Sequence, residues 1–208
     1  MKTTSINRKE HWEKIYRSKQ PNEMSWHQDV PVTSLEFFMA LNLPKSAWIF
    51  DNGAGDSYFV DHLLQMGYDN ITVQDISESA INKVKERLGQ KAVNVCWMVE
   101  DEADCHPGRK YDVWHDRAAF HFLTKEEEIQ NYIRTIGRCI KLGGYFIIST
   151  FSEKGPATCS GLPVHRYSEA DIESRLNTLF TKVKCITQDH ITPFGTKQNF
   201  LFCVFRRK

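Results

Sequence analysis

The chain predicts an α/β fold: a doubly wound, seven-stranded, mostly parallel sheet with helices on both faces and an antiparallel strand hairpin at the C-terminus. Three observations predict it. Short apolar runs alternate with amphipathic helical stretches from about residue 45 to residue 180, the order that builds parallel βαβ units. These runs lack strict alternation, as strands buried on both faces do. The last two runs have only the turn-rich "DHITPFGTKQ" between them, so the second must return antiparallel to the first.

The elements follow in order. Residues 7–20 set Trp12, Ile15, Tyr16 and Lys19 at helical spacing, and Pro21 ends that helix. A second helix over 32–43 carries Leu35, Phe38, Met39 and Leu43 on one stripe before Pro44. "AWIFDNG" is a buried strand, "SYFVDHLLQMG" a helix stopped by Gly67, and "NITVQDI" the second strand. Ser77 caps a helix with the face Ile81, Val84, Leu88, and Gly89 closes it. "NVCWMVED" and "YDVWHD" are the third and fourth strands. Thr124 and Glu127 have the spacing of a capping box, opening a helix with Ile129, Tyr132, Ile133 and Ile136 on one side. Gly143 and Gly144 turn the chain into "YFIISTF", Ser168 caps "EADIESRLNTLF", and "KVKCITQ" and "NFLFCVFRR" finish the sheet.

Composition narrows the function classes. The 208 residues are 41% apolar with a formal charge of +1, so the charge balance offers no footprint for nucleic acid or a membrane surface. No apolar run is long enough to span a bilayer, and "MKTTSINRKEHWEK" has no apolar signal region. The six cysteines form no CxxC pair and read as small buried hydrophobes. The expectation is a single cytoplasmic, reduced domain over 1–208, with 1–44 as an N-terminal helical lid and 45–208 as the core.

The chemistry concentrates at the carboxyl ends of the strands, where such sheets bind ligands. In "WIFDNGAGDS", Asn52-Gly53 alone is a hairpin signal. Asp51-x-Gly53-x-Gly55 between a strand and a helix is instead a nucleotide loop, whose glycines let backbone approach a ligand. The third glycine of GxGxxG is missing, and Asp51 and Asp56 put negative charge where a pyrophosphate would sit. A cationic, phosphate-free nucleoside fits better. Asn52 is expected to hydrogen-bond within the turn. Asp75, ending the second strand, can accept from both hydroxyls of a ribose, or can be an acid at a helix N-terminus. Asp101, flanked by Glu100 and Glu102, can accept from an adenine amine. His115, Asp116, Arg117 and His121 cluster after the fourth strand. The spacing of His115, Asp116 and His121 fits no standard metal site, so no metal is expected. His115 and Asp116 are expected at the catalytic edge of the pocket, with Phe120, Phe122 and Leu123 in the core.

The loop at Asp51, Gly53 and Gly55, the acids Asp75 and Asp101, and "YDVWHDRAAFHFL" together resemble the class I S-adenosylmethionine-dependent methyltransferases. The resemblance spans about residues 45 to 208 and extends to the added C-terminal strand pair. "HWEKIY…EMSW", with Tyr16 and Trp26, also resembles a lid segment of methyltransferase-like proteins, some of which methylate protein lysines. The resemblance implies S-adenosylmethionine as cofactor. Gly53 and Gly55 pass under its methionine part, Asp51 lies near its amino group, and Asp75 holds the ribose. Ile76, Asp101 and Glu102 surround the adenine, His115 lies near the sulfonium, and Tyr16 and Trp26 close the lid. The sulfonium already activates the methyl group, so alignment does most of the work. A base is needed only for a protonated nucleophile, and His115, Asp116, His121 and His165 are the candidates. His165 lies in "CSGLPVHRY", a loop with the look of an active-site segment, where Cys159 is read as a bystander. The implied partners are S-adenosylmethionine and a methyl acceptor, with no nucleic acid and no membrane. A small molecule is the first expectation for the acceptor, because aromatic side chains of the lid could bury it. A protein lysine is the alternative; a NAD-type oxidoreductase and a non-catalytic cofactor binder are the other classes.

Overall fold

The computed structural model describes residues 7–208. Seven strands form one sheet: β1 (Ile49–Asn52), β2 (Ile71–Asp75), β3 (Val95–Val99), β4 (Tyr111–Arg117), β5 (Ile140–Phe151), β8 (Phe180–Ile191) and β9 (Lys197–Arg207). A two-stranded hairpin, β6 (Thr158–Cys159) with β7 (Leu162–Pro163), lies in the connection after β5. The order across the large sheet is β3-β2-β1-β4-β5-β9-β8. The first five strands pair in parallel, and β9 is inserted antiparallel between β5 and β8. Only β9 therefore opposes the rest, because the hairpin folds its second strand inward and leaves the first at the edge.

Six helices complete the fold: α1 (Arg8–Ser18), α2 (Val32–Met39), α3 (Phe59–Gln65), α4 (Glu78–Leu88), α5 (Glu126–Cys139) and α6 (Glu169–Leu176). One face of the sheet packs against Phe38 of α2, Leu63 of α3 and Val84 of α4. The other face packs against Ile136 of α5 and Leu176 of α6. Each buried side chain of this size contributes roughly 1.5–3 kcal/mol of transfer free energy. A smaller cluster of Trp12, Tyr16, Met24, Ile76, Ala80 and Leu162 seats α1 over the carboxyl edge of the sheet.

Several local expectations are met for their stated reasons. Ser77 Oγ accepts from Ala80 N–H at 3.1 Å, and Gly89 closes α4 at φ 55°. Ser168 goes further and makes a full capping box with Asp171. Others are corrected. Helix α2 stops at Met39, and the chain turns through Asn42 at φ 47°. Helix α5 begins after Lys125 with no side-chain cap, so Thr124 and Glu127 form no capping box. Three glutamates in its first turn complement the helix dipole instead. Strand β5 starts directly after α5, and Gly143, at φ 77°, lies inside it rather than before it. Cys185 and Cys203 face each other across β8 and β9 and form a disulfide, against the expectation of six separate thiols. No helix among the described residues is long and apolar enough to cross a membrane.

Candidate active site

The carboxyl ends of β1, β2 and β4 open into one cavity, roofed by Trp12, Tyr16 and Trp26 from the N-terminal segment. The glycine loop shapes its floor. Gly53 has φ 56°, and a Cβ there would lie 2.2 Å from Ala119 Cβ. Gly55 has φ 57°, and a Cβ there would lie 2.1 Å from Tyr16 Oη. Both positions need positive φ and the absence of a side chain. They differ in role: Gly53 lines the cavity, while Gly55 lets the lid tyrosine sit down on the loop.

Asp75 stands in this floor. Its Oδ2 accepts from Gly55 N–H at 2.7 Å and its Oδ1 from Ser77 N–H at 2.8 Å, which leaves each oxygen a lone pair for a ligand. Burial pushes its carboxyl up to about 6, opposed by those two N–H groups and helped by Asp56 and Asp51. Gln74, a polar residue inside an apolar strand, braces the loop from below by accepting from Gly53 N–H at 2.9 Å. That lone buried amide was the available signal for its role.

Asp51, His115 and Ser34 form a buried chain. His115 Nδ1 donates to Asp51 Oδ1 at 2.7 Å, and its Nε2 meets Ser34 Oγ at 2.9 Å. The imidazole also stacks on Phe59 of α3, with centroids 4.1 Å apart. His115 therefore lines the cavity with both ring nitrogens committed. Ser34 carries no motif that points to it. Asp51 keeps Oδ2 without a partner, and Asn52 keeps Oδ1 without one. Both residues line the cavity. Two buried acceptors without partners, on residues that line one cavity, suit a cationic, multiply donating group such as an ammonium.

The remaining expected site residues fall elsewhere. Asp116 points to the opposite face of the sheet from His115, because neighbours on a strand alternate. Its Oδ2 accepts from Asn52 Nδ2 at 2.9 Å and Tyr132 Oη at 2.6 Å. Its Oδ1 accepts from the N–H groups of Ala119 and Phe120, both at 3.1 Å. Asp116 is a fully committed structural carboxylate, and Asn52 bonds to it rather than within its own turn. His121 is buried in the short turn over 120–122, with Nδ1 accepting from Phe151 N–H at 3.1 Å. Burial pushes its pKa down to about 3, and it does not line the cavity. His165 stacks on Tyr167, and the Cys159 thiol is pushed up to about 11 by burial; neither reaches the cavity. Among the described residues, no group of three or more His, Cys, Asp or Glu is arranged to hold a metal ion.

Of the two acids expected beside an adenine, Glu102 lines the cavity and Asp101 does not. Asp101 caps a short turn by accepting from Ala103 N–H at 2.9 Å, and it pairs with Arg8 of α1 at 3.0 Å. Glu102 is the residue turned into the cavity, beside Ile76. Burial, then Asp101, raises its carboxyl, and Arg8 opposes them. A protonated Glu102 can donate a hydrogen bond as well as accept one. Helix α1 is fastened a second time, since Glu13 accepts from Ser77 Oγ at 2.7 Å and from Ser79 N–H at 3.1 Å. Arg117 ends β4 beneath Trp26, where its Nη1 donates to the Trp26 carbonyl at 3.1 Å and to Gln28 Oε1 at 3.0 Å. Ala118 follows at φ 67°, a costly conformation for alanine and one that sits on the cavity wall.

The glycine floor, the phosphate-free acidic surround and the strand order together define a Rossmann-like site for a cationic nucleoside. Residues 49–144 match the family model described as a methyltransferase domain. That match covers a little under half of the chain, and the chain is similar in fold to solved S-adenosylmethionine-dependent methyltransferases. Among solved structures, a protein from echinomycin biosynthesis, described for conversion of a disulfide bond into a thioacetal group, superposes with a TM-score of 0.78 at 18% identity, over 96% of this chain and 93% of that one. The 1,6-didemethyltoxoflavin-N1-methyltransferase of Burkholderia thailandensis, solved with S-adenosylhomocysteine, has a TM-score of 0.68 at 21% identity, over 86% and 77% of the two chains. Two sequence relatives differ in acceptor. The eEF1A lysine and N-terminal methyltransferase of Mus musculus is 25% identical over 154 residues, 69% of this chain and 21% of that protein. The malonyl-[acyl-carrier protein] O-methyltransferase 2 of Ilyobacter polytropus is 29% identical over 106 residues, 50% of this chain and 39% of that protein. The chain thus spans about a fifth of the first relative's length and about two fifths of the second's.

Proposed function

We propose that the protein transfers the methyl group of S-adenosylmethionine to a small-molecule acceptor. The observation that carries the cofactor side is the pair of unpartnered acceptors, Asp51 Oδ2 and Asn52 Oδ1, beside the side-chain-free Gly53 and within one cavity with Asp75. Asp51 and Asn52 would hold the cofactor's ammonium, Asp75 its ribose hydroxyls, and Glu102 and Ile76 its adenine. When bound, the cofactor supplies an electrophilic methyl group that needs no further activation. The chain's own residues bind, orient and exclude water. Residues 7–44, the described part of the expected lid over 1–44, act in this reading as a lid, held down through Arg8, Glu13 and Tyr16, and residues 1–6 lie outside the described residues. His115 is a positioning residue that fixes Asp51 against the loop.

The acceptor side rests on a second, bounded cavity of about 290 Å³ next to the first. Its size suits a compact organic molecule. A protein lysine is the second reading, favoured by the eEF1A lysine methyltransferase 2 of Mus musculus, which matches 71% of this chain at 22% identity. Tritiated-methyl transfer into whole lysate, separated into protein and small-molecule fractions, distinguishes the two. Label in the small-molecule fraction is expected; label confined to protein overturns the first reading.

A further inference from the structure

The second cavity lies against the antiparallel part of the sheet. Phe200 and Phe202 of β9 line it, and Val32, Thr33 and Glu36 of α2 stand opposite. Arg117 is the residue that it shares with the first cavity. An acceptor in the second cavity therefore reaches the first past this guanidinium.

Asp51 and Asp56 act on the Arg117 guanidinium through space, but no carboxylate among the described residues contacts it. Both partners of its Nη1 are neutral, a carbonyl and an amide oxygen. Arg8, Arg87 and Arg175 each meet a carboxylate within 3.0 Å. Arg117 forms no ion pair among the described residues, although it is part-buried. A guanidinium offers five N–H donors in a planar fork matched to carboxylate geometry, and a part-buried one with no carboxylate in contact can take an anionic ligand on its open donors.

The bases around the two cavities tell the same story. Both ring nitrogens of His115 are committed. His190 Nε2 bonds the Ser25 carbonyl at 2.6 Å, and burial lowers its pKa. Asp189 is engaged by Asn199 at 2.7 Å and Lys197 at 3.4 Å. Glu36 lines the second cavity from α2 and is exposed. Asp51 keeps an unpaired Oδ2 in the first cavity, where the proposed reading gives it to the cofactor's ammonium, so at the shared wall the guanidinium is the charged group left to meet an acceptor. A protonated amine would meet like charge there and would need a base to become nucleophilic. An anionic acceptor needs neither.

We propose that the second cavity is the acceptor site, and that it takes a small organic anion, a carboxylate or ionised thiol, paired with Arg117 and resting its apolar body on Phe200 and Phe202. This rests on the reading of the first cavity as the cofactor site. An anionic acceptor uses its own lone pair to form the bond to the methyl carbon. The carbon–sulfur bond of the sulfonium breaks with its pair left on sulfur, and no proton has to move. Arg117 is then a specificity-determining residue.

Titration calorimetry with benzoate, benzamide and benzylamine, with and without saturating S-adenosylhomocysteine, tests this. Benzoate is expected to bind about tenfold or more tightly than either other probe, since charge-assisted bidentate pairs are the strong hydrogen bonds. Arg117→Gln is expected to remove that preference while S-adenosylhomocysteine affinity stays within about threefold. Arg117→Lys, which keeps the charge, is expected to retain part of the preference, and it decides the matter if Arg117→Gln does not fold. Equal binding of the three probes, no binding of any, or a preference for benzylamine overturns the proposal. So does a loss in Arg117→Gln that falls on S-adenosylhomocysteine instead of benzoate, which would assign the guanidinium to the cofactor's carboxylate. A wild-type protein that prefers benzoate but binds no S-adenosylhomocysteine upholds the anion site and refutes the cofactor reading.

Discussion

Cofactor affinity should depend on pH through Asp75, and the size of the effect follows from its surroundings. The carboxyl is fully enclosed, faces Asp51, Asp56 and Glu102 as well as the Tyr16 phenol, and is pushed up to about 6. Only the ionised form can accept from two ribose hydroxyls while still accepting from Gly55 and Ser77 N–H. With that pKa of about 6, about nine tenths of the protein is ready at pH 7 and about one tenth at pH 5. The sign is that binding weakens as pH falls through 6. The loss is about tenfold, or about 1.4 kcal/mol, between those two pH values. Calorimetry with S-adenosylhomocysteine in buffers of different ionisation enthalpy also counts protons: about half a proton should be released per binding event at pH 6. Asp75→Asn should bind about tenfold or more weakly at pH 7 and release no proton at pH 6, because hydrogen bonds to a buried polar ligand are lost. A wild-type affinity that is flat from pH 5 to 7, with no proton release, refutes the assignment of Asp75 to the ribose.

Three further outcomes are expected. Asp116→Ala should cost about 3–5 kcal/mol in denaturant unfolding, because it strands the Asn52 amide, the Tyr132 hydroxyl and two backbone N–H groups; loss of activity in a variant of unchanged stability would restore a catalytic role. Gly53→Ala should cost about 2–4 kcal/mol, from positive φ and the overlap with Ala119, and Ala119→Gly in the same chain should recover only the overlap part, as unfolding midpoints will report. His121 is neutral in the fold down to about pH 3 but takes a proton near 6.5 when unfolded, so stability is full above 6.5 and falls as pH drops. The loss by pH 5 is at most about 2 kcal/mol and should be absent in His121→Asn, as unfolding at the two pH values will show.

Much of this fold was legible because its signals are local. The strand before Asp51, the helix after Ser57 and the acid at Asp75 belong to one βαβ unit, and its period and glycines need no distant residue to be interpreted. The adenine corner was not legible in the same way. Glu102 lines the cavity while Asp101 is bonded by Arg8, far away in sequence, a contact that no local pattern shows. The capping box at Thr124 failed because three consecutive glutamates allow α5 to start one residue later. The cysteine reading failed because a cross-strand pair depends on hairpin register, which places Cys185 opposite Cys203.

The stretch "YDVWHDR" shows why clustering in sequence is a poor guide to clustering in a site. On β4, Val113 joins the core under α2 and α3, and His115 and Arg117 continue along that face to the two cavities. Trp114 and Asp116 point the other way, to Tyr132 of α5. One strand thus divides its polar residues by parity. The odd positions line the cavities, and the even ones anchor the loop from beneath. Asn52, next to Asp51 on the neighbouring strand, joins the two sets: its Nδ2 holds Asp116 while its Oδ1 has no partner, and the residue lines the first cavity. An apolar residue at position 52 would leave Asp116 short of a donor and remove an acceptor from the cavity, which gives the unusual asparagine of the glycine loop a physical reason on both faces of the sheet.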